Sequence, residues 1–301
     1  MERKSAAGVV LVMLGAVLAC SGTGEDGHDH GSTSSSSSSS SGSGGPLNVT
    51  LNFKAVVGDQ PLACGTEYTG IGTSNSAVRV TDARFYVHDV RLITSGNTEV
   101  PVTLAQDGTW QKDDVALLDF ETGGATCSDG TTATHTAVTG TVPAGTYTGL
   151  AFKVGVPFAL THQDTATAPA PLNLTPLWWN WNGGYKFLKV DLSSTGVPGG
   201  WFIHLGSTGC TPQGDNNPTT CANPNRAEVR LSAFEWDHQA VQLDIKALLD
   251  TSNVDMNMGG APGCMSGPTD PECQVLLPKF GLPIGNTPAG TQSIFSAVHN
   301  H

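Results

Sequence analysis

Histidine and aspartate side chains supply the most evident capacity for chemistry in this sequence. An imidazole nitrogen is a common metal ligand, and three histidines lie in or beside apolar segments: His88, His162 and His204. Asp164 follows His162 closely and could accept a hydrogen bond that orients its imidazole. Since a histidine in a β domain usually lies at the surface or bonds within the core, residue type alone leaves a metal site open. We expect solvated positions for His28, His30, His135 and His238, whereas His299 and His301 belong to a terminal tail that could bind a metal weakly.

A cluster of tryptophans offers aromatic chemistry. Trp178, Trp179 and Trp181 fall within five residues of Gly183, and side chains alternate between the two faces of a strand. We therefore predict that Trp179 and Trp181 share an accessible face, while Trp178 packs in the core. Such a face could serve as a platform for an adhesion or carbohydrate-binding protein, which is the alternative to a metal-binding one.

Cysteines indicate oxidative cross-linking. Beyond Cys20, an even number of cysteines remains, which in an exported chain predicts disulfides. Cys210 and Cys221 are near neighbours, as are Cys264 and Cys273, and Pro, Gly and Asn flank them, so each pair is predicted to close its own loop. Cys64 and Cys127 then pair by elimination. A thiolate metal site would favour C-x-x-C spacings, and the sequence has none.

The N-terminus predicts export and a lipid anchor. Residues 1–19 combine a short charged start with an apolar stretch too short to span a bilayer. The stretch ends in small residues before Cys20, the pattern that a lipoprotein signal peptidase recognises. Ser21 after the cysteine favours the outer membrane over the inner one. Residues 20–45 are rich in Ser and Gly and predict a disordered tether.

The elements that must position these residues are predicted to be strands. Residues 46–301 are interpreted as one all-β domain, an antiparallel sandwich or barrel-like fold with disulfide-stapled loops. A net charge of −12 argues against nucleic acid as a partner. The absence of nucleophile-elbow, H-E-x-x-H and phosphate-loop motifs favours a non-enzyme. The predicted strands are 49–57, 83–93, 115–120, 145–154, 185–192, 200–206, 227–233 and 241–245.

Several motifs in order carry a resemblance to a known family. The sequence resembles the MbnP-like family, the methanobactin-associated or metallo-mystery pair four-Cys proteins related to copper-repressible surface proteins of methanotrophs. The resemblance covers nearly all of residues 49–279. The motifs are RFYVHDVRL (84–92), GVPFALTHQD (155–164), APAPLNL (168–174), LWWNWNGGYKFLKV (177–190) and FIHLGSTGC (202–210).

The resemblance implies a copper-binding protein of the periplasm or cell surface. It also implies a partner enzyme, a di-haem protein of the cytochrome c peroxidase and MauG type, which in relatives oxidises a tryptophan to kynurenine. Copper(I) takes few ligands and imidazole suits it. By match to the family motifs, His162 and His204 are the first expected ligands and His88 is a further candidate. Trp179 or Trp181 is the expected site of oxidation.

Overall fold

Strand β1 (Leu47–Val57) shows how the sequence pattern becomes a sheet. Its apolar side chains recur at every second position, which places them on one face of an extended chain. That face is buried, whereas the polar side chains between them remain partly or fully exposed. The buried residues are Val49, Leu51, Phe53, Ala55 and Val57.

A computed structural model describes residues 45–124, 126–212 and 218–300. The predicted signal peptide, Cys20 and most of the predicted tether lie outside these ranges. The first strands after β1 are β2 (Gln60–Pro61), β3 (Glu67–Ile71), β4 (Ser76–Thr94), β5 (Glu99–Pro101), β6 (Thr103–Leu104), β7 (Gln111–Lys112), β8 (Val115–Asp119), β9 (Ala137–Val142) and β10 (Tyr147–Val154). The later strands are β11 (Trp178–Asn180), β12 (Gly184–Ser194), β13 (Trp201–Gly206), β14 (Thr208–Pro212), β15 (Pro218–Asn223), β16 (Ala227–Leu231), β17 (Gln239–Asp244), β18 (Gly263–Cys264) and β19 (Phe295–His299).

Helices are few and short among the described residues. They are α1 (Phe158–Thr161), α2 (Ile245–Leu249), α3 (Cys273–Leu276) and 3₁₀ turns at Thr175–Leu177 and Leu277–Phe280. Within the described ranges, no helix combines the length and apolar character that crossing a membrane requires.

Two large sheets form the domain. The smaller has the strand order β19-β17-β1-β9-β6, and the larger is built on the order β16-β10-β4-β12-β13-β18. Strands β14 and β15 form a separate hairpin. Most neighbours are antiparallel, although β1 pairs with β17 and β13 with β18 in parallel. The predicted all-β fold is confirmed, and its sheets remain open rather than closing into a barrel.

The core lies between the two sheets, where aromatic rings meet edge to face. Phe53 and Phe295 belong to the smaller sheet, and Phe85 and Phe152 to the larger one. The Phe53 ring lies 6.1 Å from Phe85 and 5.6 Å from Phe152, and Phe295 lies 5.6 Å and 5.8 Å from the same two rings. Edge-to-face pairs at these separations contribute about 1 kcal/mol each beyond burial. They fix the larger sheet, which carries the candidate site.

Three disulfides close loops around this core. The bonded pairs are Cys64–Cys127, Cys210–Cys221 and Cys264–Cys273, which are the pairs predicted from the spacing. Cys127, Cys264 and Cys273 are buried, whereas Cys210 and Cys221 are both partly exposed. The Cys210–Cys221 bond joins directly opposed positions of the β14–β15 hairpin.

Candidate metal centre

The imidazole of His162 lies at the end of α1, buried beneath the turn that follows β11. Its Nδ1 is 2.8 Å from the carbonyl oxygen of Trp181. A carbonyl only accepts hydrogen bonds, so Nδ1 carries the proton and Nε2 keeps its lone pair. Nε2 lies 3.7 Å from the Sγ of Cys221, and a disulfide sulfur has no hydrogen to donate. The arrangement therefore leaves a fixed, buried nitrogen with a free lone pair.

A glycine makes this arrangement sterically possible. Gly184 starts β12 with a φ of +68°, and a Cβ at this position would lie 2.5 Å from the Thr161 carbonyl oxygen and 3.2 Å from His162 Nδ1. Asn180 Oδ1 accepts a hydrogen bond of 2.8 Å from the Gly183 amide, which ends β11 in a tight turn. The Asn-x-x-Gly turn thus brings the Trp181 carbonyl onto the imidazole.

Gly184→Ala is expected to destabilise the fold by about 2 kcal/mol, because alanine is strained at positive φ and its methyl would overlap the Thr161 carbonyl. Urea-induced unfolding measures this loss. Gly199→Ala is the matched control, since a Cβ there meets nothing within 4 Å, and we expect it to stay within about 0.5 kcal/mol of the parent. Equal stability of the two variants would contradict the assigned close approach.

The tryptophans depart from the predicted alternation. Strand β11 ends at Asn180, so Trp181 lies in the turn and not on the same strand face as Trp179. Trp181 is 46% exposed and contacts Trp178 edge to face at 5.8 Å. Trp179 is half-buried and packs over Gly206 and Gly183. Trp178 and Trp181 do not form a flat platform together, because their ring planes differ by 85°.

A cavity of about 330 Å³ opens beside Trp179. Its lining includes Cys210 of the disulfide and the thioether-bearing Met265, together with Asn182 and Ser207. Sequence reasoning did not single out Met265, which follows Cys264 in a loop with no motif of its own. The cavity gives small solutes access to the sulfur-rich side of the hairpin.

The electrostatics keep His162 neutral. Burial lowers the pKa of its imidazole, and the nearby Arg226 guanidinium lowers this pKa further, while the hydrogen bond to Trp181 raises it. A neutral imidazole is the form that binds a metal. Asp164 does not orient this ring as predicted: its Oδ1 accepts from the Ala166 amide at 2.9 Å, and the Trp181 carbonyl takes the predicted role.

His88 lies in β4 and repeats the same tautomer. Its Nδ1 donates to the Gly155 carbonyl at 2.9 Å, and burial lowers the pKa of the imidazole to about 4. The Arg226 charge lowers the pKa of both His88 and His162, so the two histidines lie around one cation. Among the described residues, no set of three mutually close ligand atoms includes His88.

The low pKa of His88 predicts acid sensitivity of the fold. As the pH falls below 6.5, the ordinary histidine value, the unfolded chain takes up a proton that the native chain binds only near pH 4. His88 therefore leaves the free energy of unfolding undiminished above pH 6.5. As the pH falls toward 4, this free energy decreases by about 3 kcal/mol. We expect His88→Asn, which retains an amide donor near Nδ1, to lose less stability than the parent between pH 7 and pH 4 in urea unfolding. Parallel pH profiles would contradict the assignment.

His204 lies in β13 within a buried charged network. Its Nε2 donates to Asp191 Oδ1 at 2.6 Å, and its Nδ1 is buried with no hydrogen-bond partner. In the register between β12 and β13, His204 lies opposite Lys189. Lys189 is five residues along β12 from Gly184, and Gly184 lies against His162. This offset corresponds to roughly 16 Å along a strand. The structure therefore separates His162 from His204, and one ion cannot bind both.

Lys189 is the centre of that network, which sequence reasoning missed. Its Nζ lies 2.5 Å from Asp82 Oδ2, 2.7 Å from Asp129 Oδ2 and 3.1 Å from Asp191 Oδ2. Arg84 binds Asp82 from the other side through Nε at 2.8 Å. These carboxylate oxygens are close enough to one another to hold a metal, but the lysine ammonium already lies among them. The sequence did contain a signal for this network, because Lys189 and Asp191 are charged residues at alternate positions of the mainly apolar strand β12.

His135 is not solvated as predicted. Its ring stacks on Trp110 with a centroid distance of 5.2 Å and an interplanar angle of 3°, and its Nδ1 donates to the Leu117 carbonyl at 2.6 Å. The backbone of His135 also forms an antiparallel bridge with that of Asp119, the last residue of β8. Ring stacking and backbone pairing together hold this loop histidine against the larger sheet.

Comparison with known proteins agrees with the fold and the motifs. The MbnP family model matches residues 46–266. The solved structure of MbnP from Methylosinus trichosporium aligns with a TM-score of 0.75 and 30% sequence identity, covering 85% of this chain and 100% of that one. No curated protein matches. This chain belongs to the MbnP family.

Proposed function

We propose that this chain is an exported, lipid-anchored copper-binding protein that is not itself an enzyme. Membership of the MbnP family supports a methanobactin-associated role in copper acquisition, storage or delivery. The observation that carries the proposal is the His162 imidazole, with Nδ1 held by the Trp181 carbonyl and Nε2 left with a free lone pair. A soft cation of low coordination number suits such a nitrogen.

Trp181 is proposed as the tryptophan that a partner enzyme oxidises to kynurenine. Its side chain is 46% exposed, so a docked di-haem protein of the cytochrome c peroxidase and MauG type can approach it. Its own carbonyl holds His162, which keeps the modified residue beside the imidazole. Addition of dioxygen across the indole opens its ring to N-formylkynurenine, water then releases the formyl group as formate, and the freed aromatic amine would be a second nitrogen ligand. Trp179, packed over Gly206, is the less accessible candidate.

The location follows from the predicted N-terminus. We propose that Cys20 carries the lipid and that the Ser/Gly-rich residues 21–45 tether the domain at the outer membrane, facing the periplasm or the cell surface. His204, predicted as a ligand from the family motifs, is left out of the proposed ligand set, because its Nε2 is bound to Asp191 and it lies opposite Lys189, five residues along β12 from Gly184. His88, the other predicted ligand, stays a candidate beside His162, since the Arg226 charge lowers the pKa of both imidazoles.

Co-production with the di-haem partner tests this function. Copper content and peptide mass are measured on protein made with and without that enzyme. We expect one copper per chain and a modified peptide containing Trp181 only when the partner is present. Trp181→Phe should abolish both, and Trp179→Phe should retain both. Full copper loading of Trp181→Phe, or modification of Trp179 instead, would overturn the assignment.

A further inference from the structure

The corner formed by His162 and the β14–β15 hairpin contains three potential soft ligands. His162 Nε2 and the Sγ atoms of Cys210 and Cys221 all lie within 4.8 Å of one another. While the cysteines are joined, their sulfurs are poor ligands, because the thiolate is the form of cysteine that binds metals. We propose that reduction of the Cys210–Cys221 disulfide converts this corner into a copper(I) site with two thiolates and one imidazole. The proposal rests on the choice of His162 in the proposed function.

Accessibility distinguishes this disulfide from the other two. Both Cys210 and Cys221 are partly exposed, and Cys210 lines the cavity beside Trp179. Each of the other disulfides contains at least one buried cysteine, Cys127 in one and both cysteines in the other. Thiol–disulfide exchange requires in-line access of a thiolate to a sulfur atom, and exposed disulfides are the labile ones. A dithiol reductant can therefore approach this bond from either cysteine, whereas the Cys64–Cys127 bond offers only the partly exposed Cys64.

The hairpin keeps the two sulfurs in place after reduction. Cys210 and Cys221 occupy directly opposed positions in the β14–β15 ladder, with Thr208 opposite Asn223 on one side. Asn223 Nδ2 also donates to Thr208 Oγ1 at 3.1 Å. These contacts do not depend on the S–S bond, so the thiols remain opposite each other and beside His162. Preorganised ligands bind more tightly because less freedom is lost on binding.

The surroundings favour a soft cation held by thiolates. The Arg226 guanidinium donates to Thr161 Oγ1, on the residue next to His162, at 2.8 Å and has no carboxylate partner in the described part of the chain. A nearby uncompensated positive charge stabilises thiolates. The Met265 thioether lines the same cavity as Cys210 and adds a further soft sulfur.

The chemistry balances with a dithiol as the reductant. Two electrons and two protons pass from the dithiol to the Cys210–Cys221 bond, so the S–S bond breaks, two protein thiols form and the reductant becomes a disulfide. Binding of copper(I) then displaces the two thiol protons, while His162 Nε2 contributes its lone pair.

Anaerobic competition with a chromophoric copper(I) chelator tests the proposal on protein without kynurenine. Affinity is measured before and after reduction by a phosphine, which adds no competing thiol, and a thiol titration confirms how many cysteines are free. We expect reduction to raise the copper(I) affinity at least tenfold. Cys210→Ser/Cys221→Ser should lose this gain, whereas Cys64→Ser/Cys127→Ser should keep it. Circular dichroism verifies that each variant is folded.

Further variants and comparisons keep the result decisive. His162→Gln leaves both cysteines in place and should lose most of the gain at an unchanged thiol count. A gain that persists in Cys210→Ser/Cys221→Ser, or two titrated thiols with no gain in the parent, would overturn the inference. Copper bound by the oxidised, partner-modified protein reports on the proposed function alone, so the failure of either idea can be recognised separately.

Discussion

Replacing His162 with alanine is expected to weaken copper binding by the partner-modified protein about a hundredfold, which corresponds to roughly 2.7 kcal/mol. The substitution removes the buried nitrogen whose lone pair faces the hairpin, while the Trp181 carbonyl loses only its hydrogen-bond donor. Chelator competition at fixed pH measures the effect.

The control for this prediction is His238→Ala. The His238 side chain is 71% exposed and lies beside Asp237 on the surface, so its loss should leave copper affinity unchanged. His204→Ala is the more demanding comparison, because the family motifs would make it a ligand. We expect it to lower stability without a comparable loss of affinity. A hundredfold loss in His204→Ala with none in His162→Ala would reverse the assignment.

Replacing Lys189 with methionine is expected to lower the free energy of unfolding by about 3 to 5 kcal/mol, the range for breaking a buried ion pair. Lys189 is only 2% exposed and is the common partner of Asp82, Asp129 and Asp191. Its loss would leave the buried Asp82 with Arg84 alone. Urea unfolding at neutral pH measures the change.

Lys112→Met controls for the loss of a lysine charge. The Lys112–Asp113 pair is exposed on both sides, and such pairs contribute about 0 to 1 kcal/mol. A loss below about 1 kcal/mol in Lys189→Met as well would mean that the network contributes no net stabilisation.

Much of the fold could be predicted because half-buried strands have a strict period of two. Each predicted segment overlaps an observed strand, as with 185–192 within β12 and 200–206, which begins one residue before β13. Strand β9 was missed because its Thr- and Gly-containing sequence resembles a loop. It joins the smaller sheet where Gly140 allows the Thr103 carbonyl to approach closely. Strand β19 was missed because its five residues are few and their apolar positions do not alternate strictly with polar ones.

The site could be predicted only in part, because its contacts join residues far apart in sequence. His162 was identified, but its partners Trp181 and Cys221 lie 19 and 59 residues away. The turn at Asn180 also broke the alternation on which the tryptophan prediction rested. Likewise, Lys189 and Asp82 are 107 residues apart, and the β4–β12 register that joins them is a property of the folded sheet.

The position of the copper ion itself tests the central claim most directly. Crystals of the partner-modified protein loaded with copper, measured on both sides of the copper absorption edge, give a map in which only copper stands out. The account predicts one strong peak about 2 Å from His162 Nε2, on the side facing the β14–β15 hairpin. A peak at His204 or His88, with none at His162, would contradict it.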